Sequence, residues 1–300
     1  MTVDIVRDAA GMENVVLREP HGGSSVVIHL YGGQVTSWKT AHGEELLFSS
    51  SKATLKPSKA VRGGILICFP QFSDLGHLEP NGFARNRLWT IDSSPPPPPV
   101  NGMNTYVDLI LNPSNQDLKI WPHKFEFRLR VALGLSSLSL TARVKNTDQK
   151  PFTFSFALDT HFLISDISEV RVEGLETSDY IDNLQNRTRF TEQGNALTFD
   201  GEVDRVYLTT PRKIAIIDHE RKRTFELKKE GLPDAVVWNP WDKRCRAIPD
   251  LGDEDYQRMV CIDAAAIERS ISLKSGEEWR GRQEILAVSS SYFSGHLDPH

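Results

Sequence analysis

The sequence predicts an all-β fold, a large antiparallel β-sandwich. Three observations carry this. Segments of strict apolar–polar alternation recur, turn residues separate them, and almost no stretch has helical periodicity. Residues 125–131 (FEFRLRV) and 138–144 (LSLTARV) both alternate, and Gly134 with Ser136-Ser137 between them reads as a hairpin turn. Residues 25–30 form an apolar run, the Gly32-Gly33 pair a turn, and residues 34–38 the returning strand. Phe152, Phe154 and Phe156 line one face of a further strand. Residues 167–172 and 213–217 add two more. Only short segments such as 253–258 suit a helix. No repeat or compositional break appears, so residues 1–300 read as a single domain.

Composition narrows the function classes. Lys and Arg number 35 against 40 Asp and Glu, a net charge of −5. That balance argues against nucleic acid as a partner, which calls for a basic excess. The three cysteines, Cys68, Cys245 and Cys261, have neither disulfide nor zinc spacing. Cys68 and Cys261 lie in apolar runs and read as reduced core residues. The nine histidines include no pair at metal-ligand spacing, so no metal is expected. The first residues lack the basic and apolar regions of a signal peptide. No apolar run approaches the ~20 residues that span a bilayer. The expectation is a cytoplasmic protein with no membrane partner. Five consecutive prolines at 95–99 read as a stiff polyproline II loop between strands, with docking of a partner as the alternative.

The stretch 59–89 (KAVRGGILICFPQFSDLGHLEPNGFARNRLW) carries the most information. Arg62 and Arg85 stand beside glycines at the edges of apolar runs. Two fixed guanidinium forks suit an anion with several oxygens, such as phosphate. The plainer alternative is two surface arginines in weak ion pairs. In residues 152–162 (FTFSFALDTHF) the alternation puts Asp159 and His161 on one face, about 7 Å apart along the strand. That face is either a solvated edge or the floor of a binding site. Trp238 and Trp241 in WNPW could stack on a sugar or serve as core.

The segments RGG-I-x-I-C-F-P-Q-F and GFARN-x-x-W together resemble the glucose-6-phosphate 1-epimerase family, the hexose-phosphate branch of the aldose 1-epimerases. The likeness continues through 165–170 (SDISEV), 204–207 (DRVY), 237–241 (VWNPW) and 273–279 (LKSGEEW). It implies the galactose mutarotase-like supersandwich, no cofactor, and a monomer acting on a small-molecule sugar phosphate. Arg62, Arg85 and Asp204 match the family's substrate-contact positions. The chain departs from the family at three places. The family's histidine acid is matched by Asp159, and the tyrosine two residues on by His161. The glutamate base is matched by Asp263, one methylene shorter. The usual Gln-His before GFAR is Pro80-Asn81, which makes Asn81 a substrate contact without a charge.

Exchanging the anomers of an aldohexose needs a base at the C1 hydroxyl and an acid at the ring oxygen, each worth typically ~10²–10⁴-fold. An ordinary aspartate is ionised at neutral pH and makes a poor acid. Two carboxyls held together can share one proton, so Asp159 and Asp263 form a possible pair. His161 could instead reach the ring oxygen from its shifted position. Three readings follow: a working hexose-6-phosphate 1-epimerase with altered catalytic residues and reduced activity; a sugar-phosphate binder that has lost most activity; and an interaction protein using the proline loop.

Overall fold

The protein is described here from a computed structural model that covers residues 2–8, 11–53, 60–97 and 105–290. Two antiparallel sheets face each other. The larger has eleven strands in the order Thr2–Arg7, Glu13–Arg18, Ser25–His29, Gln34–Lys39, Ile65–Cys68, Phe152–Leu163, Met259–Leu273, Asp234–Asn239, Val203–Tyr207, Asp179–Asp182, Thr188–Thr191. The smaller has nine: Leu197–Thr198, Val170–Glu173, Lys213–Asp218, Arg223–Glu230, Glu278–Ser289, Ser137–Asn146, Phe125–Leu133, Thr105–Leu111, Thr90–Ile91. The sandwich expected from the alternating segments is therefore present, and the 125–144 hairpin closes with Gly134 N–H donating to Ser137 O at 2.8 Å.

Alternation explains which residues fill the space between the sheets. Phe125, Phe127, Leu129 and Val131 point inward from the smaller sheet, and Phe154, Phe156, Leu158 and Phe162 from the larger; all are buried. Phe69 ties the information-rich stretch into this core. Its ring meets Phe83, Phe125, Phe127 and Phe154 edge-on, with centroids 5.1–6.3 Å apart. Trp89 donates its indole N–H to Ala84 O at 3.1 Å. The aromatic residues of that stretch are thus scaffold. They fix the turn that carries Arg85.

Some expectations need correction. Residues 167–169 form a 3-10 turn, and the strand begins only at Val170. Asp166 caps that turn, its side chain accepting from Ser168 N–H, which draws the segment out of the sheet. The helical segment near 253–258 is a 3-10 turn over Asp255–Arg258, while a seven-residue helix, Trp241–Ala247, follows Pro240 unforeseen. Among the proline run, residues 95–97 lie outside any strand, and Pro96 O accepts from Arg130 at 2.6 Å; residues 98 and 99 fall outside the described residues. The long Met259–Leu273 strand shifts register between Phe154 and Phe156 of its neighbour. Buried Asp234 takes up that irregularity, its Oδ2 accepting from Ile267 and Glu268 N–H at 2.8 and 3.0 Å.

Lys229, in the smaller sheet, is 3% exposed and donates its ammonium to Leu232 O and Pro233 O at 2.7 and 3.1 Å. Burial lowers its pKa to about 8. The unfolded chain keeps that proton to about pH 10.4, so folding gains stability as pH rises from about 8 through this window. Raised thiol pKa values at Cys68, Cys245 and Cys261, and the raised phenol of Tyr207, act in the opposite sense. The lysine's part is therefore read as a difference. Between pH 8 and 10, urea unfolding of wild type should gain up to roughly 3 kcal/mol relative to Lys229→Met. Parallel pH curves for the two proteins would refute this.

Candidate active site on the concave sheet

The residues between the sheets come from one set of positions along each strand, and the site comes from the other. On Phe152–Leu163 the outer set includes Ala157, Asp159 and His161. The register, Leu158 against Ala264 and His161 against Cys261, places Asp159 across from Asp263 and His161 across from Cys261. One strand further, Val236 pairs with Asp263 and Trp238 with Cys261, and Asp204 pairs with Trp238 in turn. Asp159, His161, Asp204 and Asp263 therefore share the outer face of the central strands.

Two glycine-dependent crossings bring the arginines to this floor. A side chain at Gly64, φ +68°, would put its Cβ 2.0 Å from Val35 O, and one at Gly82, φ +70°, 2.2 Å from Phe69 O. Only glycine fits either place. Arg62, just before the first crossing, donates to Asp250 Oδ1 at 3.1 Å. Arg85, three residues after the second, lies 3.7 Å from Asp159 Oδ2, with both side chains mostly buried. Both guanidinium charges act on His161, and Arg85 also acts on Asp263.

His161 is 1% exposed. Phe48 stacks on its ring at 6.4 Å and Trp238 meets it edge-on at 6.4 Å. Burial lowers its pKa, and the two arginines add to this against the pull of Asp159, so the imidazole is neutral near pH 7. Asp263 moves the other way. Burial first, then the charge of Asp159, push its pKa well up, although Thr160 N–H donates to its Oδ1 at 3.0 Å. Asp204 accepts from Asn183 Nδ2 at 2.7 Å, and burial raises its pKa too. The floor thus combines two carboxyls with raised pKa values, Asp204 and Asp263, with a neutral imidazole and two guanidinium cations. It can bind an anion and pass protons at neutral pH.

The protein-family model described as Aldose 1-epimerase matches residues 14–286. The chain belongs to the aldose 1-epimerase family. It is 62% identical to the "Putative glucose-6-phosphate 1-epimerase" of Cenchrus ciliaris, over 99% of this chain and 91% of that one. It is 29% identical to the protein of the same name from Escherichia coli strain K12, over 79% and 78% of the two chains. Among solved structures, a Salmonella typhimurium protein named a "putative mutarotase" superposes with TM-score 0.84 and 24% identity, covering 96% of this chain and 97% of that one. That likeness shows the fold, the galactose mutarotase-like sandwich. As a family member the chain is an isomerase of the sugar epimerase class.

Within the aldose 1-epimerase fold, the residues singled out in the sequence divide into two groups. Asp159, His161, Asp204, Asp263, Arg62 and Arg85 come together. Asn81 is committed elsewhere: its Oδ1 accepts from Ser73 N–H at 2.7 Å and its backbone, φ +65°, builds the turn. A sugar contact from Asn81 would have to come from its amide nitrogen. Of the two tryptophans, Trp238 lines the site beside His161, and Trp241 packs on Tyr256 at 5.4 Å. Sequence reasoning missed Asp250, which holds Arg62, and Asn183, which holds Asp204. Cys261 is buried in the core as expected, and strand pairing also sets it across from His161. Only the strand register could have revealed these. Among the described residues, no helix is long and apolar enough to cross a membrane.

Proposed function

We propose that the chain interconverts the α and β anomers of a hexose 6-phosphate, with glucose 6-phosphate the first substrate to test. The observation that carries this reading is the meeting of Asp159, Asp263, Asp204 and His161 on one floor beside Arg62 and Arg85. The relatives' names point the same way. The ionised member of the Asp159–Asp263 pair takes the C1 hydroxyl proton. The protonated member gives its proton to the ring oxygen as the C1–O5 bond opens to the aldehyde. Rotation about C1–C2 and the reverse transfers return the other anomer and restore both carboxyls. No cofactor enters these steps. Asp204 orients the sugar, and Arg62 and Arg85 are the two phosphate contacts. We read the protein as a cytosolic monomer acting on a small molecule, without nucleic acid or membrane. Three free, buried cysteines support a reducing compartment.

A second reading is a sugar-phosphate binder with little turnover. The contact between Arg85 and Asp159 favours it, because the family's acid position here holds a carboxylate facing a cation. Exchange NMR on the glucose 6-phosphate anomers separates the two readings. Catalysed exchange well above buffer supports the enzyme, and buffer-level exchange with retained binding supports the binder. In the same protein, Arg62→Ala or Arg85→Ala should weaken glucose 6-phosphate by about 10–150-fold, each lost charge-assisted contact being worth roughly 1.5–3 kcal/mol. Glucose should weaken far less. Equal loss for both ligands would remove the phosphate clamp from the proposal.

A further inference from the structure

We propose that Asp159, His161 and Cys261 form a binding site for one borderline-soft divalent cation of the zinc class. The strand register builds it: His161 sits across from Cys261, and Asp159 lies two residues along on the same face. One donor atom from each lies within 4.8 Å of the other two. His161 Nδ1 and Asp159 Oδ1 are 3.3 Å apart, in contact but not in hydrogen-bond alignment. Bonds of about 2.0–2.2 Å from a tetrahedral zinc give a nitrogen–oxygen edge of roughly 3.3–3.5 Å. A zinc–sulfur bond of about 2.3 Å gives the thiol edges of roughly 3.5–3.7 Å, inside the 4.8 Å within which the three donor atoms lie.

The second observation is the imidazole itself. Neither ring nitrogen of His161 makes a well-aligned hydrogen bond, although the residue is buried. Buried polar groups are ordinarily satisfied, and a metal ion would take the nitrogen facing Asp159. Phe48 and Trp238 already fix the ring. Imidazole, thiolate and carboxylate together select zinc or cobalt over magnesium or calcium, which prefer oxygen. Three protein ligands leave a fourth position on the concave face, the arrangement of reactive rather than structural zinc. Arg62 and Arg85 oppose a cation there. The Asp159 carboxylate and the Cys261 thiolate, which forms as the metal displaces the thiol proton, cancel its charge.

The site shares its pocket with the epimerase chemistry but does not rest on it, because its readout needs no sugar. The test is a cobalt titration of chelator-treated full chain, followed by absorbance. Wild type should saturate at one equivalent, with a thiolate-to-cobalt charge-transfer band in the near ultraviolet that added zinc abolishes. Cys261→Ala should lose the band, and Cys68→Ala, a neighbouring buried cysteine, should keep it. Circular dichroism checks both folds. Should Cys261→Ala fail to fold, Asp159→Asn serves instead and should bind cobalt at least about tenfold more weakly. No band in folded wild type, a band surviving Cys261→Ala, or unchanged affinity in Asp159→Asn would overturn the site.

Discussion

Asp263→Asn lowers the catalysed anomer exchange of glucose 6-phosphate by about 10²–10⁴-fold, the range lost when a general acid or base is removed. The fold should survive this change. Asparagine has the same shape, and its side-chain oxygen can still accept from Thr160 N–H, the bond that holds Asp263 at 3.0 Å. Burial and Asp159 already disfavour the charge at Asp263, so removing its ionisation does not cost stability. The asparagine cannot exchange a proton with the sugar. Binding should therefore hold within a few-fold while turnover collapses, a pattern that separates chemistry from ground-state affinity. A variant as fast as wild type would remove Asp263 from the reaction. A parallel fall in affinity would recast it as a binding residue.

Restoring the family's residues should move the rate the other way. Asp159→His, His161→Tyr and Asp263→Glu together are expected to raise exchange by about 10²-fold, the cost commonly attached to a misplacement of ~1 Å. Histidine supplies an acid suited to neutral pH, and glutamate extends the second carboxyl toward its target. Changing His161 as well matters, because its Nδ1 lies 3.3 Å from the Asp159 carboxylate and a second imidazole there would crowd it. The extra methylene at position 263 enters a buried site and can cost roughly 1–3 kcal/mol, so thermal unfolding accompanies the assay. A wild type that outpaces the triple variant would mean that the carboxyl pair is the better catalyst in this pocket.

The sandwich was legible because local rules and burial agree along its strands. Alternation at 125–131, 138–144 and 152–162 named the buried face, and the structure buries those residues. The family likeness is now supported by a match over residues 14–286. Positions that depend on pairing between distant strands were not legible. No local signal says that Cys261 meets His161, or that Asp250 restrains Arg62. Asn81 shows the converse. A polar residue in a turn looks available, but the N–H of Ser73 claims its oxygen, as turn asparagines commonly allow. The helix at Trp241–Ala247 was hidden because Pro240 and the tryptophans read as loop and core.

The strand Phe152–Leu163 separates inheritance of shape from inheritance of chemistry. Its inward residues, Phe154, Phe156, Leu158 and Phe162, carry the packing, and truncating a buried phenylalanine typically costs about 3–5 kcal/mol. Its outward residues, Asp159 and His161, face a pocket already filled with mixed charges, where one polar group can replace another with little effect on the core. A lineage can therefore exchange acid, base or ligand at alternate positions while the intervening ones stay fixed. The same twelve residues can lose one activity and acquire another without the sandwich registering the change.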